Sequence, residues 1–446
     1  MILQGDARRI PLADESVQCV VTSPPYWGLR DYGLPPLVWG GEARCEHEWG
    51  DEVPGDPRGG SGPNAKEAYA KADSEDEGKS RYARQVARGN FCSLCSAWRG
   101  SLGLEPTPEL YVQHLVAVFR EVRRVLRKDG TCWVNLGDSY ASDTKWGGNT
   151  GGKHVKTLHG KPGGMGREKR DTGLKSKDLV GIPWRVAFAL QADGWWLRSD
   201  IIWAKPNPMP ESVTDRPTRS HEYVFLLTKS ERYYYDAEAI REVLSDGPLG
   251  GRQLADRKGE KAPRSKDYHN GMKQRMSGRP CPPNRNRRSV WTIATQPYPE
   301  AHFATFPEAL VTPCILAGTS ELGACATCGA PWKRTTEKSG GTTGKSWHNH
   351  QDDAIRGQRG NDAGDRTAKN AYESGDYKVK TVGWQPGCKC KATVIPCIVL
   401  DPFCGSGTVE AVAYKLGRKG IGMDLKAEYN ALAKQRARKT PVGLPL

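Results

Sequence analysis

The 446-residue sequence has no uninterrupted apolar run near the ~18 residues that a bilayer-spanning helix needs, which excludes a helical membrane protein. Its opening carries Asp6, Arg8 and Arg9 where a secretory leader has its apolar stretch, so the chain is expected to remain in the cytoplasm with no membrane partner. Thirteen cysteines are too sparse for a disulfide scaffold. In a reducing compartment, cysteines in close pairs read as metal ligands instead. No segment recurs at a period of 20–50 residues, which argues against a solenoid. No G-x-x-x-x-G-K-[ST] loop is present, so a nucleotide-triphosphate cradle of that kind is excluded.

What the chain does have is positive charge. Lys and Arg number 66 against 51 Asp and Glu, a net of +15, and such an excess points to a polyanionic partner. Segments rich in Val, Ile, Leu and Trp occupy 1–40, 101–140, 180–236, 301–322 and 393–446, and these are expected to form one core. Between them lie 41–100, 141–179, 237–300 and 323–392, which are rich in Gly, Ser and charge. These stretches hold too little apolar surface to offset chain entropy alone, so they read as loops, small modules or partner-ordered segments.

Within the patterned segments, strands alternate with helices. VQCVVTSPP (17–25) is a short buried strand closed by two prolines. Thr107 and Pro108 form an N-cap and first helical residue; Leu115, Val118, Phe119, Val122, Val125 and Leu126 follow at helical spacing, with Gly130 expected as the C-cap. TCWVNLG (131–137) is a strand, 182–195 a helix, and 199–206 and 221–230 strands. The run 394–403 is read as one strand, followed by a helix from Thr408 to about Leu416 and the short strand 420–424. Such alternation implies a mostly parallel sheet covered on both faces.

The stretch LDPFCGSGTVEAVAYKLGRKGIGMDL (400–425) runs from an apolar strand through a turn containing Gly405 and Gly407 into a helix. Glycines there let a ligand approach the backbone and expose the helix N-terminal N–H groups, although a plain tight turn has the same look. Asp424 follows Gly407 by 17 residues, at the end of the next strand, where a carboxylate can hold a ribose diol. DPFCGSGT resembles the S-adenosylmethionine-binding motif of DNA amino-methyltransferases. TSPPYWGLRDYG (22–33) resembles the catalytic motif of the same family, (Asp/Asn/Ser)-Pro-Pro-(Tyr/Phe), and HFATFPEALVTPCILAG (302–318) the segment preceding the cofactor motif. With the catalytic motif first and the cofactor motif last, the order is that of the family's beta group.

The resemblance implies a circularly permuted, Rossmann-like methyltransferase core: an α/β fold with a seven-stranded, mostly parallel sheet. It implies that Asp401 and the Gly405–Gly407 turn hold the cofactor's amino acid portion, that Phe403 and Thr408 also bind the cofactor, and that His302 and Phe306 lie in the segment covering the methionine end. By the same resemblance Asp424 binds the ribose hydroxyls, and Asp6 in LQGDA (3–7) meets the adenine. The break in the sheet then falls between the strands ending at Asp424 and Asp6, leaving the chain termini neighbours.

The catalytic turn has its own physical argument. The lone pair of an exocyclic amine is delocalised into the base, so acceptors aimed at both N–H groups favour a pyramidal, nucleophilic nitrogen. Ser23 and the Pro24 carbonyl supply such acceptors on a backbone stiffened by Pro24 and Pro25, while Tyr26 offers a face for an extruded base. Read without its context, S-P-P-Y is equally a strand end with core filler. In the family, Ser at this position mostly accompanies N4 of cytosine and Asp mostly N6 of adenine, so cytosine is the expected target and adenine the alternative. Carbon-5 methylation needs a cysteine nucleophile after the cofactor motif; Pro280-Cys281 precedes it.

Two sets of four soft ligands, Cys45, His47, Cys92 and Cys95, then Cys325, Cys328, Cys388 and Cys390, are expected to bind one structural zinc each. They define 41–100 and 323–392 as two zinc-stabilised insertions, with reduced surface cysteines as the plain alternative. Segment 241–300 carries 13 Lys and Arg against 6 Asp and Glu and falls where the beta group places target recognition, so duplex DNA is the expected partner of 237–300. The Gly- and Lys-rich stretch 141–179 is expected to be a mobile loop, and 205–224 resembles the loop that shapes the base pocket. Set against this reading are an enzyme acting on RNA or a protein amide, and a non-catalytic, zinc-dependent DNA-binding protein.

Overall fold

The computed structural model describes residues 1–29, 31–50, 90–141, 173–243, 284–296, 306–339 and 378–441. In chain order the elements are β1 (Ile2–Gln4), β2 (Val17–Thr22), β3 (Leu37–Trp39), β4 (Trp98–Gly100), α1 (Pro108–Val125), β5 (Leu126–Leu136), α2 (Ile182–Ala192), β6 (Trp196–Ala204) and β7 (His221–Thr228). There follow β8 (Glu242–Val243), β9 (Asn284–Arg285), β10 (Val290–Thr292), α3 (Glu308–Gly318), β11 (Ala324–Cys325), β12 (Lys333–Ser339) and β13 (Lys378–Gln385). The chain closes with β14 (Val394–Ile395), β15 (Ile398–Asp401), α4 (Thr408–Lys415), β16 (Lys419–Asp424) and α5 (Ala427–Lys439).

Eight strands form the central sheet in the order β1-β16-β15-β2-β5-β7-β6-β10. Only β7 runs against its neighbours β5 and β6; every other pairing is parallel. The expected seven strands are exceeded because Val290–Thr292, inside the basic region, adds β10 beside β6 and buries Trp291. All six residues of β2 are buried, as a strand covered on both faces requires. Alternate residues face opposite layers. Val20, Cys132, Val134, Phe225 and Leu227 pack with Leu115, Phe119 and Val122 of α1 and Leu190 of α2. Val21, Trp133, Val224 and Leu226 pack with Val311 and Ile315 of α3 and Val409 and Val412 of α4.

α1 starts as expected, the Leu110 amide donating to Thr107 Oγ1 at 3.2 Å with Pro108 behind the cap. Its end differs from expectation. Leu126 leaves the helix in an extended conformation and is itself buried, so β5 begins at once and Gly130 lies within it rather than capping α1. The pairing jumps from Val17–Leu126 to Cys19–Thr131 to absorb the extra residues. The run 394–403 also divides: β14 pairs with β11 outside the central sheet, and only β15 enters it.

The two ends of the sheet-forming chain meet. β1 lies parallel to β16, the Met1 ammonium donates to the Gly420 carbonyl at 2.7 Å, and the Gly5 amide donates to the Asp424 carbonyl at 3.1 Å. The permuted order inferred from the motifs is therefore the observed one. Among the described residues no helix is long and apolar enough to cross a membrane.

Candidate active site

Because β15 and β2 are neighbours, the turns that follow them open on the same end of the sheet. After β15 the chain passes Pro402–Ser406 and reaches Gly407, whose φ of 79° suits glycine; a Cβ there would lie 2.8 Å from Ala433 Cβ. After β2 it enters Ser23-Pro24-Pro25-Tyr26. Both turns face one cleft of about 750 Å³. Of the residues singled out in the sequence, Asp6, Ser23, Pro24, Pro25, Tyr26, Phe306, Phe403, Gly405, Thr408 and Asp424 line it.

Asp401 and Gly407 do not line the cleft but stand directly behind its wall. The Asp401 carboxylate is 1% exposed and accepts from Thr22 Oγ1 at 2.6 Å and from the Phe403 amide at 3.0 Å, which ties the cofactor-motif turn to the end of β2. Burial raises its pKa to about 7, only partly countered by those two donors. Asp424 accepts from the Gly405 amide at 3.1 Å and the Lys426 amide at 2.9 Å, and burial raises its pKa too. Asp6 is held by Arg8 through both carboxylate oxygens. His302 lies outside the described residues, as do 51–89, 142–172, 244–283 and 340–377 within the two insertions and loops expected to meet metal or DNA.

Sequence reasoning missed the support behind Tyr26. Its hydroxyl lies 2.9 Å from Asn135 Oδ1 and 2.8 Å from Glu222 Oε2, and Asn135 donates from Nδ2 to the same Glu222 oxygen at 3.1 Å. Glu222 is also ion-paired with Lys205, whose ammonium sits 4.4 Å over the Trp203 ring. Gly137, just after β5, lets the Tyr26 ring approach its backbone, since a Cβ there would meet Cε2 at 2.5 Å. The only signal available was a polar Asn135 in an apolar strand. Behind the turn, Tyr111 donates its hydroxyl to the Pro25 carbonyl at 2.7 Å. Burial and the neighbouring Glu222 push the Tyr26 phenol well above its ordinary pKa, so it stays a neutral donor.

Outside the cleft, the structure brings together each predicted ligand set. Cys45, His47, Cys92 and Cys95 present one ligand atom apiece within 4.8 Å of one another, and Cys325, Cys328, Cys388 and Cys390 do the same. Cys45 and Cys92 have their sulfurs 3.8 Å apart and Cys95 lies 3.3 Å from His47 Nδ1. Two thiolates held ~2.3 Å from one tetrahedral zinc would be about 3.8 Å apart, so the donor set fits that ion.

Comparison with known proteins agrees with this geometry. The family model described as DNA methylase matches residues 17–325 and 397–435. The chain is 34% identical to the Type II methyltransferase M.Cfr9I of Citrobacter freundii over 98% of its own length and 86% of that protein. It is 33% identical to the Type II methyltransferase M.SmaI of Serratia marcescens, over 98% and 89% of the two chains. Among solved structures, the cytosine-N4-specific PvuII DNA methyltransferase aligns with a TM-score of 0.43 and 14% identity, over 98% of this chain and 85% of that one. The chain belongs to the N6/N4 DNA methylase family.

Proposed function

We propose that this DNA methyltransferase carries a methyl group from S-adenosylmethionine to the exocyclic amine of a base extruded from duplex DNA, with N4 of cytosine as the target. The observation that carries the reading is the single cleft shared by Ser23–Tyr26 and by Phe403, Gly405, Thr408 and Asp424. In it, Asp424 is suited to the ribose diol, Asp6 to the adenine, and Phe306 and Phe403 to the methionine end. Asp401 and Gly407 act from behind, by shaping the turn. The bound sulfonium supplies an already activated methyl, so orientation accounts for most of the acceleration.

Ser23 and the Pro24 carbonyl accept the amine's two N–H groups without reorganising, while Tyr26 carries the base on its face. Ser23 in the position that Asp occupies in adenine-specific relatives is what favours cytosine. The cysteine and histidine sets hold one structural zinc each, which organises insertions with little core of their own. DNA is met by the basic segment 237–300.

Incubation with methyl-labelled S-adenosylmethionine and mixed-sequence duplex DNA, followed by digestion to nucleosides, tests the reading. Label is expected in N4-methyl-2′-deoxycytidine. Label in N6-methyladenine would replace the base assignment, and label only at carbon 5 of cytosine or only in protein would overturn the mechanism.

A further inference from the structure

The first cysteine–histidine site closes the connecting end of the hairpin β3–β4, and that hairpin is built into the reaction cleft rather than standing apart from it. Leu37 and Trp39 line the cleft alongside Ser101 and Leu102. Cys45 follows β3 closely, and Cys92 and Cys95 precede β4, with the Cys92 amide donating to the Ala97 carbonyl at 2.8 Å.

Two chains of contact leave this hairpin. One runs to the cofactor side. Arg8 donates to the Val38 carbonyl at 2.6 Å, lies 4.1 Å over the Trp39 ring, and grips Asp6 with the remainder of its guanidinium. The other runs to the catalytic turn. The rings of Trp39 and Trp98 stack on His114 at 4.5 and 5.3 Å, and His114 Nδ1 pairs with Glu105 at 2.9 Å. Glu105 has no exposed surface; its other oxygen accepts from the Gly103 amide at 2.8 Å, and its carbonyl accepts from Trp27 Nε1 at 3.0 Å. Gly103 in turn accepts from the Gly28 amide at 2.9 Å. Trp27 and Gly28 directly follow Tyr26, so the backbone leaving the catalytic turn is held by the main chain of 103–105, which the buried Glu105 carboxylate fixes through the Gly103 amide.

The second quartet touches the opposite end of the sheet. Arg127 donates to the Cys328 carbonyl, and Gln18 donates to the Gly329 carbonyl at 2.9 Å, both near the entry ends of β5 and β2. Neither quartet's ligands line the cleft, but only the first is joined to it, through Leu37 and Trp39 of its hairpin.

We propose that the Cys45–His47–Cys92–Cys95 site positions the reacting groups. By pinning the hairpin it holds Asp6 through Arg8 and the catalytic turn through His114 and Glu105, which makes Arg8, Glu105 and His114 positioning residues for methyl transfer. This rests on the metal reading given above for the first site, and the variants separate the two.

Three variants of the full chain, checked as folded by circular dichroism, are compared for zinc content, S-adenosylmethionine affinity by calorimetry, and single-turnover methyl transfer at saturating cofactor. Glu105→Gln should keep both metals and bind cofactor within about twofold of wild type, yet lose about tenfold in single-turnover rate, because sub-ångström misplacement of a reacting group costs on that order. Arg8→Met, which keeps its stem on Trp39, should weaken cofactor binding about tenfold with both metals retained. Cys92→Ser should lose one metal of two and show both defects. Wild-type protein without zinc overturns the role given to the Cys–His site, while Glu105→Gln and Arg8→Met still decide the two links. A Glu105→Gln rate within twofold of wild type, or a Cys92→Ser variant lacking its metal but normal in both affinity and rate, overturns the proposal.

Discussion

The hydroxyl of Tyr26 and the carboxylate of Glu222 stand 2.8 Å apart although 196 positions separate them in the chain. Under the proposed stacking role, a ring that receives a flat base must present its face in one orientation, and a hydroxyl fixed at the ring's far end prevents rotation of the side chain about the turn. Replacing Tyr26 by Phe keeps the stacking face and removes the tether, at about 1 kcal/mol and so roughly fivefold in single-turnover rate. Replacing it by Ala removes the face as well, for a further loss on the order of 1–3 kcal/mol. Fluorescence of 2-aminopurine at the target position, which rises on extrusion, should fall for Ala and persist for Phe.

Gly137 supplies a second test of the same ring. A methyl at this position would sit 2.5 Å from Tyr26 Cε2, so Gly137→Ala must move the ring or the turn. A shift of ~1 Å at a reacting group costs about 100-fold in rate. Calorimetry should show S-adenosylmethionine affinity unchanged, since Gly137 stands on the base side of the cleft.

Asp401 makes stability depend on pH. Its folded pKa is raised from 3.8 to about 7 by burial, so between those values the folded chain holds a proton that the unfolded chain has lost. Stability contributed by this group is present at low pH and falls as pH rises through that window, by at most about 1.4 kcal/mol per unit. Asp401→Asn keeps an acceptor for Thr22 and Phe403 and removes the titration. Urea midpoints of the variant relative to wild type should therefore rise from pH 5 to pH 7 and level off above it; a constant difference would refute the assignment.

Gly407→Ala should destabilise the fold although Gly407 itself does not line the cleft. The residue would adopt a φ of 79° with its Cβ 2.9 Å from Ala433 Cα, and neither the turn nor α5 can retreat without losing packing. A cost of about 2 kcal/mol is expected, visible as a fall of roughly 5 °C in Tm.

The second quartet should act on stability. Cys390→Ser is expected to halve the zinc content of the protein and lower its Tm, and chelator, which strips both quartets of the wild type, to lower it at least as far, because metal bound only by the folded state stabilises it. Equal Tm values with and without chelator would argue for free thiols at this site.

Much of this molecule was readable because its signals are local. Val17–Thr22, the Thr107–Pro108 helix start, the glycine turn and each half of the two cysteine-rich quartets are short strings whose residue types have few other uses. Errors arose where neighbours distant in sequence decided the outcome. Leu126 left its helix early because a buried place was waiting for it beside Val17. Val290–Thr292 became a strand because β6 offered an edge, although its surroundings are basic and proline-rich.

The sequence by itself determined the order of the motifs along the chain and which hydroxyl, carbonyl, thiol and imidazole groups the Ser23–Tyr26 turn and the insertions carry, since each depends on covalent neighbours. Only the tertiary structure decided that Asp401 works from behind the wall, that Glu222 and Asn135 hold Tyr26, and that the β3–β4 hairpin joins Asp6 to the catalytic turn. Those are contacts between strands and turns whose order in the sheet differs from their order in the chain, and no local pattern encodes them.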